Sequence, residues 1–126
     1  MQKNLLKIII NKPGKDIFDF LLNPANSPKW LDVAEERTNE FPVKLGTIFE
    51  NRGDLNSDEW TRYTVSYYDD GKEFEFTGNN YSVRYILKSL ENGATEMTIL
   101  EQVNAGDLPD PMTMAPFEKL KRLVEE

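Results

Sequence analysis

Carboxylates and phenols are the side chains here that can do chemistry, because two usual sources are missing: the 126-residue chain has no histidine and no cysteine. That removes imidazole acid–base work, Ser-His-Asp relays and imidazole metal sites. It also removes disulfides, zinc-thiolate sites and thiol nucleophiles. Proton transfer would fall to Glu, Asp, Tyr, Lys or Arg, or to a bound cofactor. Glu101 is the most telling acid. It shares strand parity with Met97, Ile99 and Val103, an apolar face. A carboxylate buried there must be paired or protonated, which suits a ligand anchor or a general acid or base. The other reading puts Glu101 at an open rim, in water.

The phenols come with a set of phenyl rings. Phe49, Tyr63, Tyr67, Phe74, Phe76 and Tyr85 lie in alternating segments, so each shares a face with its i±2 neighbours. They form either the wall of a cavity for a flat or lipid-like ligand or an ordinary filled core. A buried tyrosine hydroxyl needs a partner, and a cavity lets that partner be a ligand. Trp60, Arg62 and Tyr68 sit on the opposite parity, so one face is solvent unless a bulge shifts parity along the strand. Asp69-Asp70-Gly71 lacks calcium-loop spacing and reads as a hairpin turn, and Gly93-Ala94-Thr95 reads as a turn rather than a phosphate cradle. No catalytic residue, metal ligand or cofactor is assigned.

The elements that position these groups follow from period and punctuation. Leu5 to Asn11 is a β-branched strand, stopped by Lys12-Pro13-Gly14. Lys15 to Leu22 has helical spacing and ends at Asn23-Pro24, since a residue before proline is pushed out of the α region. Asn26-Ser27-Pro28 reads as a fresh N-cap, so the prolines split one helix into two short ones, the second carrying Trp30. Val33 to Phe41 is a charged edge strand. Five alternating segments follow: 46–55, 59–68, 72–77, 81–90 and 95–103, separated by short turns that imply antiparallel hairpins. Thr113 to Glu126 is a last helix with Phe117, Leu120, Leu123 and Val124 on one stripe. The order predicts an α+β fold with helices on one face of a long antiparallel sheet, one domain over residues 1–126.

The net charge of −7 disfavours nucleic acid and anionic lipid surfaces as partners. The N-terminal apolar run is too short and too charged for a signal peptide or membrane span, so a cytoplasmic protein is expected.

The stretches FDFLLNPANSPKW (18–30), PVKLGTIF (42–49), Trp60 with Val65, FEF (74–76), VRYIL (83–87) and GATEMT (93–98), in this order, resemble the START-like, Bet v 1-like (SRPBCC) superfamily, nearest its polyketide cyclase/dehydrase and lipid-transport branch. The resemblance implies a helix-grip fold: a curved seven-stranded antiparallel sheet, two short helices after strand 1, and a C-terminal helix on the concave face enclosing an apolar cavity. It places Trp30 near the cavity floor or mouth. The expected ligand-binding set is Trp30, Phe49, Tyr63, Val65, Tyr67, Phe74, Phe76, Val83, Tyr85, Met97, Ile99, Glu101, Phe117 and Leu120. One departure stands out: about fourteen residues follow Met112, only ~20 Å of helix, so the cavity is expected to be shallow and open or closed by a second copy, unless the helix is truncated. Three functions stay open: a carrier or sequestering protein for a small hydrophobic molecule such as a lipid, polyketide or quinone; a cyclase- or dehydratase-like enzyme using Tyr and Glu; and a protein-interaction module with a filled core, with room for a homodimer.

Overall fold

The computed structural model describes residues 2–126. Seven strands, β1 (Lys3–Ile10), β2 (Glu35–Thr38), β3 (Ile48–Arg52), β4 (Thr61–Asp69), β5 (Glu73–Gly78), β6 (Tyr81–Ser89) and β7 (Thr95–Val103), form one sheet in the order β1-β7-β6-β5-β4-β3-β2. Every pairing is antiparallel, and β1 and β2 are the edges. Between β1 and β2 lie α1 (Gly14–Leu21), a 3-10 turn (Pro24–Asn26) and α2 (Ser27–Trp30); α3 (Met114–Glu125) ends the chain. This is the helix-grip arrangement.

Register aligns one inner face across the strands. Ile8 faces Met97, Met97 faces Leu87, and Ile99 faces Tyr85. Tyr85 then faces Phe74, and Val83 faces Phe76. The helices close on this face. Ile17, Phe18 and Leu21 are the buried stripe of α1, and Phe117 and Leu120 that of α3. Phe18 stands edge-on to Phe74, and Trp30 packs on Phe117 with ring centroids 5.3 Å apart. Each such buried ring contributes about 1.5–3 kcal/mol by leaving water.

The two helices after β1 are separated as the prolines require, but the cap differs from the expectation. The Asn23 side chain accepts from the Ala25 N–H and caps the 3-10 turn, while Asn26 makes no cap bond and the Ser27 hydroxyl turns to Glu36. At the start of α1, a Cβ on Gly14 would lie 2.9 Å from the Gly71 carbonyl oxygen, so only glycine lets the β4–β5 turn close over the helix. Lys15 ties that contact, bridging Asp19 at 2.9 Å and Asp70 at 2.7 Å.

A bulge does shift parity in β4, but it lies beyond Val65, between Val65 and Tyr67; from Thr61 to Val65 the register is unbroken, so the odd Trp60–Val65 spacing reflects opposite faces and not a bulge. Val65 faces Phe76 on the inner side; past the bulge Tyr68, not Tyr67, faces Phe74 and packs edge-on against Phe18. The outer face is ionic: Glu50 meets Arg37 and Arg62, Arg84 meets Glu73 and Glu75, and Arg52 meets Glu35. No helix among the described residues is long and apolar enough to cross a membrane.

Candidate functional site

Toward the β2 side, the inner face is not filled. A cavity of about 260 Å³ opens to solvent there, walled by Phe49, Tyr63, Phe76, Tyr81, Val83 and Tyr85 from β3 to β6, and by Leu31, Val33 and Met112 from flanking segments. Strand parity supplies the wall: these β6 side chains are i, i+2 and i+4 from Tyr81, and Phe49 faces Tyr63 across the β3–β4 ladder. The Tyr63 ring lies over Gly78, where a Cβ would come within 3.0 Å of the ring. Glycine there gives the ring its place.

Polar groups converge at two points. On the β2 side, Glu36 faces Asn51 in the β2–β3 register, and both line the cavity. Glu36 accepts the Ser27 hydroxyl, and the Asn51 amide donates to it at 3.2 Å. Burial pushes the Glu36 carboxyl above the ordinary carboxylate range, and these two donors oppose the shift. At the β7 side, Glu101 is 2% exposed. Its Oε1 accepts from Asn4 Nδ2 and from the Met112 N–H, both at 2.8 Å, and its Oε2 accepts the Tyr81 hydroxyl. Asn4 also donates to the Met112 carbonyl at 2.9 Å. The carboxylate thus knots β1, β6, β7 and the segment before α3 behind the cavity wall. It has no cation partner among the described residues; its charge is held by hydrogen-bond donors alone.

The phenols differ in their partners. Tyr81 is committed to Glu101, whereas the Tyr63 and Tyr85 hydroxyls have no protein partner among the described residues. Burial, then nearby carboxylates, holds all three phenols above their ordinary range; for Tyr81 its bond to Glu101 adds to the effect. They therefore stay protonated near neutrality and serve as hydrogen-bonding groups, not as bases. Deeper in, a chamber of about 30 Å³ shares Leu31, Glu36, Phe76 and Tyr85 with the cavity and is also lined by Trp30, whose indole N–H has no partner among protein groups. That volume suits one water-sized group.

The expected site residues divide three ways. Phe49, Tyr63, Phe76, Val83 and Tyr85 come together on the cavity wall, with Trp30 and Phe74 at the inner chamber and Glu101 behind Tyr81. Val65, Met97, Ile99, Phe117 and Leu120 are buried in the packed core and do not line the cavity, so α3 fills space beside it rather than roofing it. Tyr67 is on the wrong face: the bulge turns it outward, 39% exposed, with the Arg84 guanidinium 4.5 Å from its ring. The sequence reading missed Glu36, Asn51, Tyr81 and Met112. Tyr81 was within reach, since it shares parity with Val83 and Tyr85; Glu36 and Met112 depend on contacts between distant segments. A second groove, about 320 Å³, runs along α1 and is lined by Lys15, already paired with Asp19, and by Phe41 and Tyr68. It offers no comparable cluster of hydrogen-bonding groups.

No protein-family model matches this chain, and no curated protein matches it. Solved structures do share its fold. Protein NE0264 from Nitrosomonas europaea superposes with a TM-score of 0.78 at 14% identity, covering 98% of this chain and 94% of that one. Ara h 8.0201 superposes with a TM-score of 0.68 at 12% identity, covering 97% and 96%. The di-domain ARO/CYC BexL from the BE-7585A biosynthetic pathway gives 0.72 at 14% identity, covering 99% of this chain and 47% of that one. The likeness is one of fold: the chain shares the Bet v 1-like, helix-grip fold of these proteins.

Proposed function

We propose that this chain binds a compact, largely apolar molecule in the cavity under β3 to β6, as a carrier or sequestering protein. The observation that carries this reading is an open cavity of about 260 Å³ with aromatic walls and two tyrosine hydroxyls that no group among the described residues engages. A preformed cavity with a few convergent polar groups is the usual form of a small-molecule site. Size narrows the ligand. An apolar cavity of ~150 Å³ holds benzene, so this one accommodates one or two fused rings, and a long acyl chain would leave most of its length outside.

A second reading is an enzyme that orients a reactive compound, prompted by the fold shared with the ARO/CYC protein BexL and by a half-buried carboxylate on the wall, Glu36, with a buried one, Glu101, behind Tyr81. On that reading Glu36, whose carboxyl burial raises above the ordinary range, is the acid–base group, with the tyrosines as donors.

The test is a two-dimensional amide NMR titration with 2-naphthol. The two tryptophans provide internal reporters: Trp30 at the inner chamber, and Trp60 outside beneath Arg37 and Arg52. Binding should move the Trp30 indole signal and the amides of Phe49, Tyr63, Phe76 and Tyr85 while leaving the Trp60 indole in place, and Val83→Phe should abolish the response. Shifts centred on Trp60, or none at all, would refute it.

A further inference from the structure

We infer that the cavity selects ligands that carry an O–H or N–H donor on an apolar one- or two-ring body, and rejects carboxylates, with Glu36 as the group that discriminates. This rests on the small-molecule reading above and names the chemistry of the ligand's polar end.

The sign of the charge at the wall is the first observation. The lining contains no lysine and no arginine, but it contains Asp32 and Glu36. The basic residues next to the lining on the strands are turned away by parity: Arg37 and Arg62 bond Glu50, Arg52 bonds Glu35 and Arg84 bonds Glu73 and Glu75, all on the outer face. Glu101 adds a further carboxylate, buried behind Tyr81. An anionic ligand head would enter a partly desolvated site facing carboxylates with no counter-cation, where like charges repel more strongly than in water.

The second observation is unused acceptor capacity. Glu36 takes one donor on each oxygen, Ser27 on Oε1 and Asn51 on Oε2. Each carboxylate oxygen has two lone-pair directions, so both retain one. Ser27 is 3% exposed, so its bond is shielded and fixes the carboxylate's orientation from the side of α2. A ligand hydroxyl or amine can complete the set with a charge-assisted bond, stronger than a neutral one. The Tyr63 and Tyr85 hydroxyls can then accept from or donate to a second polar atom. A hydroxyl and an amine share this donor chemistry, and the ammonium form also gains from the aromatic wall.

The experiment is calorimetric titration of the wild-type chain and Glu36→Gln with four probes of one shape: 2-naphthol, 2-naphthylmethylamine, 2-methoxynaphthalene and 2-naphthoate. For the wild type, naphthol or the amine should bind about tenfold or more tighter than the methoxy compound, which has lost the donor, and naphthoate should bind weakest. Whichever of the two donors is tighter identifies the neutral or the charged form as the preferred head, and either upholds the inference. In Glu36→Gln, naphthoate should gain relative to naphthol by about tenfold. If the four probes bind alike, or if the wild-type order persists unchanged in Glu36→Gln, the inference is overturned while the cavity reading stands. If none binds, the cavity reading itself falls. The wild-type comparison needs no variant to fold.

Discussion

Replacing Glu101 by leucine removes the acceptor for three donors at once, and the size of the loss follows from what those donors are left with. Met112 N–H, Asn4 Nδ2 and the Tyr81 hydroxyl all end on this one carboxylate. A hydrogen bond to a charged group contributes about 1.5–3 kcal/mol, and a buried donor left without a partner costs about 1–3 kcal/mol. Against this, leucine relieves the desolvation of a carboxylate that is 2% exposed and lacks a cation, several kcal/mol in the other direction. Asn4 keeps its bond to the Met112 carbonyl, which softens one of the three losses. The cost of three stranded donors, about 1–3 kcal/mol each, is offset only in part by the desolvation relief, so the balance predicts a net destabilisation of about 2–4 kcal/mol for Glu101→Leu. Glu101→Gln keeps an acceptor for Asn4 and Met112, and the Tyr81 hydroxyl can rotate to accept from the new amide. It should cost only about 1–2 kcal/mol. Urea unfolding at constant pH, with m-values compared to detect changes in the unfolded state, reads both. Should the leucine variant fail to fold, Tyr81→Phe measures the same knot from its other end, at about 1.5–3 kcal/mol. A leucine variant as stable as the wild type, or equal losses for leucine and glutamine, would refute the account of Glu101 as a carboxylate held by its donors.

Other consequences are checked more simply. Glu36 has a folded-state pKa above its unfolded value, so its protonation stabilises the fold; that contribution is fully present below about pH 4 and is lost as pH rises through the folded value. Glu36→Gln should therefore gain stability relative to the wild type as pH rises from about 4 to about 7, and a flat difference across thermal melts in that range would contradict the burial argument. Gly78→Ala places a methyl against the Tyr63 ring and 3.2 Å from the Arg62 carbonyl oxygen, so the ring must move into the cavity. It should weaken 2-naphthol binding several-fold, and unchanged affinity in a folded variant would show that Tyr63 does not shape the site.

Much of the framework was legible because it rests on local rules. Alternation marks β7 over its full observed span, Thr95–Val103, and Asn23-Pro24 ends α1. Parity groups the aromatic residues within each strand, and the helix-grip resemblance, which sets one concave face, joins Phe49, Tyr63, Phe76, Val83 and Tyr85 into one set. The same rule misplaced Tyr67, because counting by two fails across the bulge after Val65, and Tyr68 took the inner position. Phe117 and Leu120 were correctly read as the buried stripe of α3, yet whether a buried residue meets a cavity or its neighbours depends on how helix and sheet fit together. Glu36 shows the other boundary. A glutamate in a charged edge strand looks like surface, and only the folding of α2 over β2, which brings Ser27 and Asn51 onto its carboxylate, makes it part of an interior.

The central claim, that the cavity holds a compact apolar molecule, is tested most directly by native mass spectrometry of the purified wild-type chain beside Val83→Phe and a denatured control. The account predicts a retained adduct at one per chain, of a mass suited to one or two rings, that is absent from Val83→Phe and released on denaturation. A wild-type chain that flies at its bare mass, and still does so after incubation with the naphthalene probes, would contradict it.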